Sequence, residues 1–135
     1  MTLFFRLASA AFPFFIASMA QGAPKESFWR ALHLVETSGR IGPILGDNGR
    51  ALGPLQIHRG YHKDSGIAGD YSRCADLAYS RRVVSAYLKR YAPEAWRNGD
   101  DVHTLARIHN GGPKGASKAS TLNYAAKVRR LSLRP

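Results

Sequence analysis

Two acidic residues on either side of a predicted bend are the side chains best suited to catalysis. Glu36 stands at the end of an apolar helical run, and Asp47 follows eleven positions later in a stretch rich in glycine and proline. Cleavage of a glycosidic bond needs such a pair, because one carboxylic acid protonates the leaving oxygen while a second carboxylate acts as nucleophile, stabiliser or base. The pair predicts a sugar-cleaving site, although two acids near a bend also occur in proteins without that activity.

The predicted surroundings of the two acids differ in the way that this chemistry requires. Three- and four-residue spacing places Glu36 on one helical face with Trp29 and Leu32. An apolar pocket keeps a carboxyl group protonated, whereas a polar turn leaves one ionised. We therefore expect Glu36 to be the general acid and Asp47 the nucleophile or charge stabiliser. The alternatives are an exposed acid at a helix end and an aspartate that only forms a turn.

A second group of polar residues lies far downstream, at the predicted end of another helix. His109 and Asn110 are followed by Gly111-Gly112-Pro113, which stops a helix. The two side chains can hydrogen-bond sugar hydroxyls or N-acetyl groups, and the glycines allow a ligand to approach closely. Composition alone favours a simpler explanation, namely a helix C-terminus with a buried, hydrogen-bonded histidine.

The elements that must position these residues are mostly helical. Ser27 is the predicted N-cap of the first helix and Gly39 its stop. Asp47-Asn48-Gly49 is a strong turn signal, which predicts a small hairpin after that helix. The longest helix is expected to start near Tyr71 or Ser72 and to end before Pro93. Its predicted buried stripe comprises Cys74, Leu77, Val84, Leu88 and Tyr91.

Two further helices complete the prediction. Asp100 or Asp101 caps the first, which turns Val102, Leu105, Ala106 and His109 inward. Ser120 or Thr121 opens the second, with an inward face of Leu122, Ala125, Val128 and Leu131. The predicted fold class is α+β and mainly helical, with a small β-hairpin beside the helix that carries Glu36.

The chain of 135 residues is expected to hold one domain behind an export signal. Residues 1–22 combine Arg6, an apolar run and small residues at a cleavage pattern, which predicts a secretory signal peptide. An uncleaved anchor is less favoured, because the run is short for a membrane span and Pro13 interrupts it. The remaining residues, 23–135, can bury a core without disulfides. Cys74, the single cysteine, is expected to be a small buried residue.

The net charge of +11 suits an anionic partner such as a cell-wall polymer, a membrane surface or a nucleic acid. No aromatic-basic motif supports nucleic-acid binding, so we predict no nucleic-acid partner. His58 and His62 lack a third ligand at a suitable spacing, and no nucleotide fingerprint is present. We therefore predict neither a metal nor another cofactor, and we expect a monomer with no stable membrane insertion after the signal is cleaved.

Several short segments, in order and at this spacing, resemble the invertebrate-type (destabilase) lysozyme family. The resemblance runs from about Leu34 to about Leu131, and its most specific part is the I-H-N-G-G-P block combined with the acid pair. The matching segments are V-E-T-S-G, G-D-N-G, G-P-L-Q-I, A-R-I-H-N-G-G-P and N-Y-A-A-K-V.

The resemblance implies a lysozyme-like fold and hydrolysis of the β-1,4 bond after N-acetylmuramic acid in peptidoglycan strands. It assigns Glu36 as general acid and Asp47 as nucleophile or stabiliser, with net retention of configuration. The segments that match family motifs also imply a cleft lined or supported by Gln56, His109, Asn110 and Gly111.

The sequence departs from the family pattern in its cysteines. Animal members are rich in cysteine. Here Gly39 is followed directly by Arg40, with no cysteine between them, and Leu52 occupies the position before Gly53-Pro54 where a cysteine is usual. We therefore expect a disulfide-poor relative, bacterial and periplasmic or secreted. Isopeptidase activity, credited to some members through a serine and a histidine, receives little weight because no serine partner for His109 can be placed.

Two alternatives to a hydrolase remain open. A lytic transglycosylase would need Glu36 but not Asp47, and it would leave a 1,6-anhydro end instead of a reducing end. A protein without catalytic activity would only bind the cell wall or a membrane through its basic surface. Analysis of the product distinguishes a hydrolase from a lytic transglycosylase. The effect of Glu36→Gln on wall lysis distinguishes an enzyme from a protein that only binds.

Overall fold

The computed structural model describes residues 22–135, so the predicted signal segment lies outside the described residues except for Gly22. Six α-helices and one small sheet form the described part of the chain. The helices are α1 (Glu26–Thr37), α2 (Arg59–Ser65), α3 (Leu77–Tyr91), α4 (Pro93–Asn98), α5 (Val102–Gly111) and α6 (Leu122–Ser132). The strands are β1 (Leu45–Gly46), β2 (Ala51–Leu52) and β3 (Ile57–His58), and short 3₁₀ segments cover Tyr71–Ala75, Gly115–Ser117 and Ala119–Thr121.

The predicted α+β class is confirmed, and the sheet is one strand larger than expected. The three strands pair antiparallel in the order β1-β2-β3, with Leu52 opposite both Leu45 and Ile57. The hairpin signal at Asp47-Asn48-Gly49 is borne out, since all three residues have positive φ. The second turn, which leads to β3, was not predicted.

A close backbone approach explains why the second turn contains a glycine. Gly53 has a φ of +82°, and a Cβ built there would lie 1.7 Å from the carbonyl oxygen of Cys74. Only a residue without a side chain fits at that distance. Gly53 therefore allows the turn after β2 to pack directly against the 3₁₀ segment before α3.

The core is built from one face of each of the larger helices. Phe28 and Leu32 of α1, Val84 and Leu88 of α3 and Leu105 of α5 are completely buried. The helix α6 packs against both α1 and α5, and α3 packs against α2, α4 and α5. Cys74 is also completely buried, so the prediction of a small buried residue is confirmed, and burial raises the pKa of its thiol to about 11.

Several predicted helix boundaries are wrong for local reasons. The first helix begins at Glu26 and not after Ser27, with Lys25 at the N-cap position and no side-chain cap. The longest helix begins only at Leu77, because the Asp76 carboxylate accepts the amide of Tyr79 and caps it there. Pro93 opens the additional helix α4, which was not predicted, because proline fits a first helical turn.

The inward faces were predicted with mixed success. Asp101 caps α5, and Leu105, Ala106 and His109 are buried as expected. In α6, Ala125 and Val128 are buried, but Leu122 is 44% exposed because it stands at the start of the helix. No helix among residues 22–135 is long and apolar enough to cross a membrane.

Candidate active site

Glu36 lies one residue before the end of α1, with its side chain only 16% exposed. The helix stops directly afterwards, because Ser38 and Gly39 take positive φ and return their amides to the carbonyls of Leu34 and His33. The Thr37 hydroxyl donates to the Pro54 carbonyl at 2.9 Å in a buried hydrogen bond. That bond fixes the end of α1 to the segment between β2 and β3.

Two other helices supply the polar contacts of the Glu36 carboxyl group. His109 Nε2 of α5 lies 3.2 Å from Glu36 Oε1, and the Tyr124 hydroxyl of α6 donates a hydrogen bond to the same oxygen. Trp29, which was expected to back this carboxyl group, packs edge-on against Trp96 with Arg81 over its ring. The polar contacts of the Glu36 carboxyl group therefore come from an imidazole and a phenol.

The buried tyrosines near Glu36 are held in their neutral form. Burial, followed by the charge of Glu36 and their hydrogen bond, raises the pKa of Tyr124 well above its usual value. Burial also raises the pKa of Tyr61 well above its usual value, and the hydroxyl of Tyr61 lies 2.9 Å from His109 Nδ1. If Tyr61 donates to Nδ1 of a neutral imidazole, Nε2 carries the hydrogen and donates to Glu36.

Asp47 occupies the opposite kind of environment, on the turn between β1 and β2. Its side chain is 45% exposed and lies between two cationic or potentially cationic groups. Arg50 Nη2 is 2.8 Å from Oδ1, and His58 Nε2 is 3.3 Å from Oδ2. The sheet produces this arrangement, because its register places His58 opposite Ala51, the residue after Arg50.

A single cleft of about 480 Å³ contains both acids. Its lining includes four of the predicted site residues besides Asp47 (Glu36, Gln56, His109 and Asn110) together with Ala51, His58 and Tyr61. Asn110 is exposed at the end of α5, so its amide is available to a ligand. The structure therefore brings together five of the six predicted site residues.

The remaining predicted residue, Gly111, is not among those that line the cleft. A Cβ built on Gly111 would lie 2.5 Å from the Thr121 methyl group, and its carbonyl accepts a hydrogen bond from Lys118. Gly111 thus allows α5 to approach the 3₁₀ segment before α6, which also places Tyr124 next to Glu36.

Gln56 supports the hairpin as well as lining the cleft. Its amide nitrogen donates to the carbonyls of Ile44 and Gly53, at 3.1 and 3.0 Å. A Cβ on Gly46 would lie 1.7 Å from the Gln56 amide oxygen, so the side chain passes directly over β1. The strand that leads into Asp47 is thereby tied to the turn that precedes β3.

Three residues near the acids were missed at the sequence level: Tyr61, Tyr124 and His58. Tyr124 lies within the N-Y-A-A-K-V segment, but nothing in a single helix reveals which acid its hydroxyl will meet. Tyr61 stacks on Tyr87 at a centroid distance of 3.6 Å and resembles an ordinary core aromatic in sequence. His58 was considered only as a possible metal ligand.

The hydrogen bonds leave the two oxygens of Glu36 with different tasks. Among the described residues, both bonds to the carboxyl group converge on Oε1. A carboxylic acid that accepts on one oxygen can carry its proton on the other. Oε2 is therefore the oxygen able to present a proton to a ligand in the cleft.

Leu52, which stands where the resemblance led us to expect a cysteine, packs in the core. It is 9% exposed and belongs to the same apolar cluster as Leu55 and Ile57. Apolar contact therefore holds the central strand of the sheet.

Comparison with known proteins identifies the family. The family model described as Destabilase matches residues 35–131. Lysozyme 1 of Crassostrea virginica is 36% identical over 114 residues, covering 82% of this chain and 61% of the relative. The lysozyme of Ostrea edulis is 41% identical over 81 residues, covering 57% of this chain and 58% of the relative. The chain thus spans about three fifths of the length of these curated relatives.

Two solved structures show the same fold over most of their length. A chain in the crystal structure of Aeromonas hydrophila PliI in complex with Meretrix lusoria lysozyme gives a TM-score of 0.68 at 30% identity, covering 82% of this chain and 92% of that chain. The Tapes japonica lysozyme gives 0.65 at 31% identity, covering 79% and 92%. Together with the family model, these matches show that the chain belongs to the invertebrate-type (destabilase) lysozyme family.

Proposed function

We propose that this protein is an exported lysozyme that hydrolyses the β-1,4 bond between N-acetylmuramic acid and N-acetylglucosamine in peptidoglycan. The observation that carries the proposal is the presence of Glu36 and Asp47 in one cleft, on two different elements and in two different environments. The relatives named lysozyme support the reaction class. The cleft volume of about 480 Å³ and its polar lining suit a carbohydrate.

Glu36 is the general acid in this proposal. Its Oε2 protonates the glycosidic oxygen as the bond to the anomeric carbon breaks, and the leaving sugar departs with a free hydroxyl group. The Tyr124 hydroxyl and His109 Nε2 then stabilise the Glu36 carboxylate through Oε1. The same carboxylate removes a proton from the water molecule that completes hydrolysis.

Asp47 is the partner that meets the positive charge developing at the anomeric carbon. A direct attack forms a covalent glycosyl ester that water then cleaves, whereas a purely electrostatic role stabilises the oxocarbenium ion. Arg50 holds Oδ1 at 2.8 Å, so Oδ2, which has only the longer contact with His58, is the oxygen better placed to face the substrate. Retention of configuration is the expected outcome for the first route.

His109 and Gln56 are positioning residues in this proposal, and Asn110 is the substrate-binding residue. The side chain of His109 is only 4% exposed and is directed at Glu36, so it orients the acid. Gln56 supports the strand that leads into Asp47. The exposed amide of Asn110 is free to bind hydroxyl or N-acetyl groups on the sugar.

Export is part of the same proposal, and it rests on sequence. Residues 1–22 have the composition of a cleaved secretory signal, and peptidoglycan lies outside the cytoplasmic membrane. Mass spectrometry of the protein recovered from the periplasm or the medium tests this. We expect a mature N-terminus near Ala23, and a full-length chain retained in the membrane would contradict the proposal.

The reaction is tested by digesting purified peptidoglycan and analysing the glycan ends. We expect reducing N-acetylmuramic acid ends, and 1,6-anhydro ends would establish a lytic transglycosylase. Glu36→Gln should abolish the products without changing wall binding. If Glu36→Gln lysed cell walls as well as the wild type does, the glycosidase mechanism would be wrong.

A further inference from the structure

The positive charge of the chain is concentrated at its C-terminal end. Residues 102–135 contain seven lysines and arginines and no aspartate or glutamate. Residues 22–101 hold all nine acidic residues together with twelve lysines and arginines. The net charge of the last 34 residues is therefore +7, against +3 for the preceding 80.

The end of α6 and the two residues that follow it place three of these cations around an exposed apolar residue. A groove of about 480 Å³ is lined by Ala126, Arg129, Arg130, Leu133 and Arg134. Ala126, Arg129 and Arg130 share a face of α6 because they lie three and four positions apart, and Leu133 and Arg134 follow directly after the helix ends at Ser132. The side chain of Leu133 is 76% exposed, and none of the three arginines forms an ion pair within residues 22–135.

The chain enters the domain next to this groove. Gly22 and Ala23 pack against Gly99, and Lys25 pairs with Asp100 at 2.7 Å. Lys25 and Ser27 also line a neighbouring groove together with Arg129 and Leu133. That groove includes Asp100 and Asp101, but Lys25 pairs with the first and the second caps α5. The N-terminus expected after signal cleavage therefore lies beside the face that carries Arg129 and Leu133.

We propose that this face, formed by Arg129, Arg130, Leu133 and Arg134 and called here the basic groove, docks on the anionic phosphate headgroups of a lipid bilayer. Exposed arginines around a leucine match such a surface, because the guanidinium groups bind phosphate while the leucine enters the interface. The 76% exposed side chain of Leu133 supports a membrane over a soluble polymer, because a bilayer interface offers it an apolar environment.

The basic groove is separate from the catalytic cleft. Tyr124, which contacts Glu36, lies in α6 five residues before Arg129 and nine residues before Leu133, the residue that follows the end of that helix. At 1.5 Å per residue, the groove lies about 8–14 Å further along α6. Docking on a membrane is therefore independent of catalysis. It would keep the catalytic cleft close to the peptidoglycan that lies next to that membrane.

Sedimentation with lipid vesicles tests the proposal directly. Residues 23–135 are used, because the hydrophobic core lies between Phe28 and Val128 and the apolar segment would itself bind lipid. We expect binding to vesicles of phosphatidylglycerol and phosphatidylcholine and little binding to phosphatidylcholine alone. Each arginine near an anionic membrane contributes about fivefold to the affinity, so the variant R129Q/R130Q/R134Q should bind the vesicles roughly 100-fold more weakly. Leu133→Ser should weaken the binding that remains at high salt.

A matched variant separates the basic groove from net charge. K63Q/R82Q/K89Q removes the same charge from exposed positions on α2 and α3, and we expect it to bind within about fivefold of the wild type. Glu36→Gln should bind lipid normally, so a failure of the proposed reaction leaves this test intact. Circular dichroism confirms that each variant is folded.

Three results would overturn the proposal. The first is an absence of binding to anionic vesicles. The second is an equal loss of binding in the two triple variants, which would indicate a general charge effect. The third is tight binding of soluble polyphosphate without vesicle binding, which would identify a polymer as the partner of the groove.

Discussion

The two walls of the cleft hold their carboxylates by different means. Glu36 lies on the helical wall, 16% exposed, and its contacts come from the helices α5 and α6, which lie far away in sequence. Asp47 lies on the sheet wall, 45% exposed, and its contacts come from residues three and eleven positions later. The helical wall therefore depends on tertiary packing, whereas the sheet wall is largely a local structure.

This difference has an energetic consequence. Hydrogen bonds to a buried carboxyl group are strong, and losing one leaves a polar group without a partner. Ion pairs between exposed side chains contribute little, because water screens them. Substitutions around Glu36 should therefore affect the reaction more than substitutions around Asp47, even though both acids take part.

The largest effect in the comparison of the two walls is expected when the acid Glu36 itself is replaced. Glu36→Gln keeps the size of the side chain but carries no transferable proton, so kcat on peptidoglycan should fall by about 100- to 10,000-fold. A turbidity assay measures the rate, and thermal unfolding checks the fold. A kcat within tenfold of the wild type would exclude Glu36 as the general acid.

Asp47→Asn should have the second largest effect. The substitution keeps the turn, because asparagine also tolerates the positive φ of 48°, but it removes the negative charge. We expect kcat to fall by about 100- to 1,000-fold, the range seen when one electrostatic contact to a transition state is lost. If activity persisted and the products carried 1,6-anhydro ends, Asp47 would have only its turn-forming role.

Tyr124→Phe tests the network on the helical wall. It removes one hydrogen bond to Glu36 and leaves the ring in place, so kcat should fall about tenfold with a smaller change in KM. His109→Asn should act in the same direction. The double variant should lose less than the product of the two single losses, because both residues act on Oε1. Strictly multiplicative losses would show that the two contacts are independent.

The two buried tyrosines of the helical wall predict that the free energy of unfolding falls at alkaline pH. The pKa values of Tyr61 and Tyr124 are raised well above the ordinary value of 10.0, so both stay neutral in the folded state while the unfolded chain ionises. Their contribution to stability is present below pH 10 and is lost as the pH rises above it, by about 1.4 kcal/mol per pH unit for each tyrosine. Urea unfolding at pH 9 to 11 should show a shallower loss for Tyr124→Phe.

The smallest effect is expected on the sheet wall at His58. This residue is half exposed and 3.3 Å from Asp47, so His58→Gln should reduce kcat less than fivefold. The difference from the wild type should shrink further in 0.5 M salt, because an exposed pair is screened. A loss as large as that of Tyr124→Phe would refute the distinction between the two walls.

The sheet wall was more readily predicted than the helical wall. The turn at Asp47-Asn48-Gly49 has a local cause, since its residue types tolerate positive φ, and it was predicted correctly. The contacts of Glu36 have no local cause. The predicted neighbour Trp29 packs elsewhere, and the actual partner Tyr124 lies 88 positions away.

Local sequence patterns were enough to predict the mostly helical fold with its hairpin, the two acids and the residues that terminate the helices, because periodicity, turn propensity and capping act over a few residues. The resemblance to one family was also visible in short segments. The groups that surround each acid could not be predicted in this way, because it is the packing of α6 against α1 and α5 in the tertiary structure that brings a phenol and an imidazole onto one carboxyl oxygen. The tertiary structure also decided that the cations at the end of α6 share a groove with an exposed leucine, since neighbouring elements determine which face of a helix stays uncovered.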